Sequence, residues 1–147
     1  MQDTIERSVT IPAAIEAVWD ALTTLEGIRS WFGDQVEIDL RPGGEAVFGW
    51  SQYESSSHAI VQEVQRPTLF SYRWVADNSQ RVDEGPSTLV EFTLMSDGES
   101  TIVTVVESGF ASLPAEIAER ALTDNTSGWK AEMQDLVDYL TAASATA

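Results

Sequence analysis

The stretch "NTSGWKAEMQDLVDYL", residues 125–140, decides how the rest of the chain is read. Trp129, Met133, Leu136, Val137 and Leu140 recur at spacings of four, three, one and three, the period of one helix face. Ile117, Ala121 and Leu122 carry the apolar stripe back toward Pro114. A long amphipathic helix is expected from Pro114 onward. Asn125–Gly128 are weak helix formers, so a kink or restart is expected there. Asn125 then reads as the cap of the restarted helix, in preference to a reach toward Glu107. Residues 142–147, at the end of "TAASATA", are expected to fray.

A long apolar stripe needs a partner surface, and the sequence before it supplies strands. "TIERSVTI" alternates with Ile5, Val9 and Ile11 on one side. Pro12 follows and suits the first turn of a helix. Residues 13–23 place Ile15, Val18, Trp19 and Leu22 at helical spacing, and 25–32 read as a second, short helix with Ile28, Trp31 and Phe32 inward. "QVEIDL" (35–40) alternates with Val36, Ile38 and Leu40 inward. "RPGGE" is a turn, and "AVFGW" (46–50) sends Ala46, Phe48 and Trp50 to one face. A Ser-rich turn around 55–57 leads to "HAIVQEV" (58–64). "LFSYRWV" (69–75) puts Phe70, Tyr72 and Trp74 together, and residues 76–87 read as a polar loop. "TLVEFTL" (88–94) groups Val90, Phe92 and Leu94. Asp97-Gly98 tips a hairpin into "TIVTVVESGF", 101–110. Strand, two helices, about six strands and a long helix make an α+β chain with an antiparallel sheet. Such a sheet covers its apolar face with the last helix.

The 147 residues suit one domain, 1–147, large enough for a real core. No run approaches the roughly 20 apolar residues of a membrane span. "MQDTIERSVTI" lacks the basic-then-apolar pattern of a secretory signal. There is no Cys, hence no disulfide or thiolate chemistry, and a cytoplasmic location is expected. Eight Lys and Arg oppose 24 carboxylates for a net charge of −16, which disfavours nucleic acid. The acidity reads first as a solvated surface. One His and no Cys are unlike a zinc site, and no metal or cofactor is expected.

Six motifs add a resemblance. "IPAAIEAVWDALTT", "IRSWFG", "LRPGGE", "EVQRPTLFSYRW", "VVESGF" and "GWKAEMQDLVDYL" fall in order along the chain. Together they resemble the activator of heat-shock-protein-90 ATPase homologue family (Aha1 C-terminal-like), within the START/Bet v 1-like (SRPBCC) superfamily. The resemblance covers roughly residues 4–141. It implies a helix-grip fold, a curved antiparallel sheet of about six to seven strands around the C-terminal helix. It also implies a cavity between sheet and helix for a small apolar ligand. The eukaryotic co-chaperone carries a separate N-terminal domain that contributes to chaperone binding. This chain is expected to have no room for one, so ligand binding is expected ahead of co-chaperone activity.

The residues themselves are compatible with a pocket and with plain core. Trp50, Tyr72, Trp74, Phe92 and Trp129 are large side chains on faces expected to point inward, with Met133 beside them on the helix. Trp31 and Phe32 are candidates for a lid at the mouth. Glu107 shares a face with Val103 and Val105, which would aim it into the cavity as an acid, base or hydrogen-bond anchor. Ile102 and Val106 argue equally for the other face. There Glu107 would pair with Arg73 or Arg120, or end in water. His58 reads as a surface residue at a strand start, with a place at the pocket mouth as the alternative.

Three functional classes stay open at this level. The first is a binding domain for a small apolar or aromatic ligand. The second is a cyclase-, hydratase- or hydrolase-like enzyme with Glu107 as general base, assisted by His58 or Tyr72. The third is a chaperone-modulating or stress-response interaction protein, which requires an exposed apolar patch.

Overall fold

The computed structural model describes residues 3–53, 55–75 and 86–146. Seven strands form one antiparallel sheet in the order β1-β7-β6-β5-β4-β3-β2. They are β1 (Thr4–Ile11), β2 (Gln35–Ile38), β3 (Glu45–Trp50), β4 (Ser55–Gln65), β5 (Leu69–Val75), β6 (Ser87–Asp97) and β7 (Ser100–Ser108). Helices α1 (Ile15–Thr23) and α2 (Leu25–Trp31) carry the chain from one sheet edge to the other. Helix α3 (Ala115–Thr146) lies on the concave face, against β1, α1 and α2. This is the helix-grip arrangement, with the curved sheet wrapped on α3.

The core follows from alternation. β6 turns Thr88, Val90, Phe92 and Leu94 inward, and β7 turns Thr101, Val103, Val105 and Glu107 inward, all at 5% exposure or less. From α3, Trp129, Met133, Leu136 and Leu140 meet them. Burying one such side chain is worth about 1.5–3 kcal/mol, enough for this face to hold the helix in place. The α1–α2 corner is tight. Thr24 caps α2 by accepting from Gly27 N–H at 2.9 Å, and a Cβ on Gly27 would come within 2.3 Å of Asp20 O. Gly98, with φ +64°, makes the β6–β7 hairpin turn that a side chain would resist.

Five local expectations are corrected. α3 runs without a break through Asn125–Gly128, because buried residues on both sides outweigh weak local propensity. Ser55–Ser57 belong to β4 rather than to a turn; the turn is the short 3-10 segment Ser51–Tyr53. Leu40 lies beyond the end of β2 and is 38% exposed rather than inward. Pro12 sits in a bend before the Ala14 N-cap instead of inside α1. Of the loop expected at 76–87, positions 76–85 lie outside the described residues, and Ser87 already belongs to β6.

Candidate functional site: a clamped glutamate beside an aromatic cleft

Three neighbouring strands and α3 converge on Glu107. Trp74 faces Thr88 across β5–β6, and Val90 faces Glu107 across β6–β7, which sets the three polar side chains along a diagonal. Trp74 Nε1–H donates to Oε2 at 2.9 Å, and the Thr88 hydroxyl donates to the same oxygen at 2.5 Å. Asn125 and Trp129 lie one turn apart on α3, on one face. The Asn125 amide donates to Oε1 at 3.0 Å and Oε2 at 3.1 Å, and Trp129 Nε1–H donates to Oε1 at 2.8 Å.

Glu107 is 1% exposed, so a charge there needs compensation. Every partner donates, which suits an acceptor-only carboxylate. About four lone-pair directions are available on a carboxylate, and these donors occupy them. The group therefore ties α3 to the sheet. Neither arginine considered above is its partner: Arg73 donates to Ser87 Oγ at 3.4 Å, and Arg120 lines the neighbouring cleft. Asn125 is a donor to Glu107 and not a cap, since the helix does not restart there.

Above this clamp, Phe32 stacks on Trp129 with centroids 5.8 Å apart and planes 10° apart, and meets Trp50 edge-on at 5.2 Å. Trp74 stacks on Trp129 at 5.7 Å. Trp50 Nε1–H donates to Phe32 O at 2.6 Å, and Trp31 Nε1–H to Ala21 O at 2.7 Å. The indole N–H groups of Trp31, Trp50, Trp74 and Trp129 are thus all satisfied inside the protein.

The centre of the gap between sheet and α3 is filled. Tyr72, Phe92, Trp129 and Met133 are at most 3% exposed there. The open space runs along the flank of α3 instead. Its middle section, about 600 Å³, is walled by Phe32, Trp50, Trp74 and Trp129, with Asn125, Gly128 and Glu132 from the helix. One neighbouring lobe of about 480 Å³ passes Thr88 and Arg120. Another of about 720 Å³ passes Arg29, Asp34, Asp135 and Tyr139. Trp50 lines all three.

Of the residues singled out in the sequence, Phe32, Trp50, Trp74 and Trp129 line the middle section, and Trp31 lines the acidic lobe. Tyr72, Phe92 and Met133 are core beneath them. Burial, then the negative charges of Glu107 and Glu132, push the Tyr72 hydroxyl well above its ordinary value, so it keeps its proton. Trp31 and Phe32 are 7% and 8% exposed and packed in the aromatic core, so they form wall and not a free lid. His58 points away. Ser57, Ala59 and Val61 turn inward on β4, and His58 pairs with Val47 on the outer face. Ser57 takes the place at the cleft that His58 was considered for.

Sequence reasoning missed Glu132. Its Oε2 is buried and has no hydrogen-bond partner, the one such side-chain atom among the described residues. Desolvation first, then the charge of Asp135, raise its carboxyl to about 8. The only sequence signal is its place three residues after Trp129, at the edge of the apolar stripe. Among the described residues no group of three or more His, Cys, Asp or Glu is placed to hold a metal ion, and no helix is long and apolar enough to cross a membrane.

Comparison with known proteins adds the lineage. Residues 12–141 match the profile of the family described as "Activator of Hsp90 ATPase homolog 1-like protein". No curated protein matches the chain. Among solved structures, protein MLL2253 from Mesorhizobium loti superposes with a TM-score of 0.80 at 21% identity, covering 95% of this chain and 97% of that one. The Aha1 dimer from Colwellia psychrerythraea gives 0.76 at 16% identity, over 95% and 96%. DynU16, of the dynemicin biosynthetic locus, gives 0.78 at 23% identity over 97% of this chain, which spans 49% of DynU16. At these identities the likeness is one of fold.

Proposed function

The chain belongs to the family described as Activator of Hsp90 ATPase homolog 1-like protein, and from that premise we propose that it is a ligand-binding domain, taking a small apolar or aromatic molecule into the cleft beside α3. The observation that carries this reading is the cleft wall. Phe32, Trp50, Trp74 and Trp129 border about 600 Å³ of open space, and the three indoles have their N–H groups occupied elsewhere. Rigid aromatic faces with few polar groups are the common lining of small-molecule sites.

Two competing readings have less behind them. A general base needs a free lone pair, and the lone pairs of Glu107 are engaged by four side chains. A protein-docking role needs a contiguous apolar patch. The large exposed apolar side chains among the described residues, Leu25, Leu40 and Met95, lie on separate segments.

Ligand-observed NMR with 2-naphthol, indole and decanoate tests the proposal, with tryptophan fluorescence as a second readout. Saturation transfer to at least one probe is expected, together with quenching of the cleft tryptophans. Gly128→Leu fills the middle section from the helix side and is expected to weaken binding at least tenfold while the fold is kept. Absence of transfer to all three probes would overturn the reading.

A further inference from the structure

The Ser triplet at 55–57 ends on a buried hydroxyl with no protein partner. Six polar or charged residues are buried among those described. Five of them have partners for their side chains. Thr23 donates to Trp19 O, Thr88 to Glu107 and Thr101 to Ala13 O. Ser71 accepts from Glu63 N–H, and Glu107 accepts from the four side chains of the clamp. The Ser57 hydroxyl alone meets no hydrogen-bond partner among the described residues, although the residue is only 4% exposed.

This hydroxyl is not sealed in. Among the described residues the one unpartnered side-chain atom closed to water is Glu132 Oε2, so the small surface that Ser57 keeps includes its oxygen. Ser57 faces Phe48 across β3–β4 and lines the lobe of about 480 Å³ beside α3. That volume lies within the roughly 300–1,000 Å³ of small-molecule sites. Trp50 and Trp74 border both this lobe and the middle section, so the hydroxyl opens onto the aromatic cleft.

Its neighbours decide what it can take. The indole, hydroxyl and amide donors around the lobe are engaged: Trp50 Nε1–H on Phe32 O, and Trp74, Thr88 and Asn125 on Glu107. A wholly apolar ligand would cover the Ser57 hydroxyl and leave it unpaired, which is unfavourable. An anion would approach the Glu107 carboxylate behind Thr88 and Asn125 and would meet Asp124 at the same lobe, with Arg120 as the one basic residue lining it. A neutral hydroxyl avoids both penalties, since it can accept from Ser57 or donate to it.

Resting on the ligand-binding reading, we infer that Ser57 is the polar anchor of the cleft and that the ligand is a neutral, hydroxyl-bearing aromatic molecule, a phenol or an aryl alcohol. Its oxygen pairs with Ser57 Oγ, and its ring lies against Trp50 and Trp74. Ser57 then sets specificity, and the apolar wall supplies most of the contact area.

Amide NMR titration of the full chain at pH 7 with 2-naphthol, 2-methylnaphthalene and 2-naphthoate tests this. The three share one ring system and differ in the group offered to Ser57. The ratio of the methylnaphthalene Kd to the naphthol Kd is expected to fall by about fivefold or more in Ser57→Ala. The hydration of each probe is the same for both proteins, so the change in ratio reports the contact itself. Ser57→Thr keeps the hydroxyl on a strand that suits a β-branched residue, and is expected to hold the ratio within about threefold. The naphthoate is expected to bind the wild type more weakly than naphthol. The melting temperature of Ser57→Ala is expected to be unchanged or raised, because no protein hydrogen bond is lost. An unchanged ratio in Ser57→Ala overturns the inference, as does naphthoate binding more tightly than naphthol. A fall in melting temperature of more than about 5 °C overturns it too, since the hydroxyl would then be bonded within the fold. Absence of naphthol binding also overturns it, and takes the ligand-binding reading with it only where indole and decanoate fail as well.

Discussion

Trp129 links two glutamates in opposite conditions. Its Nε1–H ends on Glu107, and Glu132 follows it by three residues on α3. Glu107 is 1% exposed, yet both its oxygens are occupied by donors from β5, β6 and α3. Glu132 is less buried as a residue, yet one of its oxygens is sealed from water with nothing to bind it. Depth of burial is therefore a poor guide to which carboxylate is available. Partner count is the better one: the first glutamate is structural, and the second has capacity to spare.

The sharpest way to break this contrast is to remove each in turn. Glu107→Ala leaves two indoles, a hydroxyl and an amide without their acceptor, and should cost about 3–5 kcal/mol in urea denaturation. Glu132→Ala should cost less than about 1 kcal/mol, because no hydrogen bond is lost. Equal losses would dissolve the distinction.

A smaller effect separates them by pH. The folded value of Glu132 lies above its unfolded value, from the ordinary 4.5 up to about 8, so the folded chain holds the extra proton between those values. Its stabilising share is full below about 4.5 and is lost as pH rises through about 8. Solvent screening of a partly exposed group limits the change to about 1 kcal/mol. Stability of the wild type relative to Glu132→Gln should fall by that amount from about pH 5 to about pH 9. A flat difference would place Glu132 in ordinary solvent.

Gly128→Ala should raise stability by about 0.5–1 kcal/mol, since the added methyl meets no atom and helix propensity improves. A decrease in melting temperature would show that the space beside Glu132 is not open. His58→Ala, on the outer face, should shift stability by less than about 0.5 kcal/mol and leave probe binding unchanged.

The architecture was legible because its signals repeat. Inward residues such as Val90, Phe92 and Leu94, or Trp129, Met133 and Leu136, each agree with several neighbours on one face. The site was legible only in part. Alternation named Glu107 but left its direction open, because Ile102 and Val106 on the other face are apolar too; the pairing of β7 with β6 and β1 decides it. Asn125 looked like a cap because local propensity is weak across "NTSG", and the contacts that keep α3 continuous come from strands far away in sequence. Glu132 gave almost no signal. A charged residue at the edge of an apolar stripe ordinarily extends its head to water, and only the packing around it shows that one oxygen cannot.

The sheet order also governs when this molecule can be finished. β1 has a single sheet neighbour, β7, and Thr4 pairs with Ser108 roughly a hundred residues later. Such a pairing closes a long loop and raises contact order, which slows folding. On the ribosome, β1 has no strand to join until β7 has been made, several seconds later at roughly 5–20 residues per second. The hairpins β3 to β7 are local and can form meanwhile, but Ile5, the β1 neighbour of Glu107, arrives only with that last closure. The sheet edge beside the clamp is therefore closed late, when β1 docks onto a strand that follows it by roughly a hundred residues.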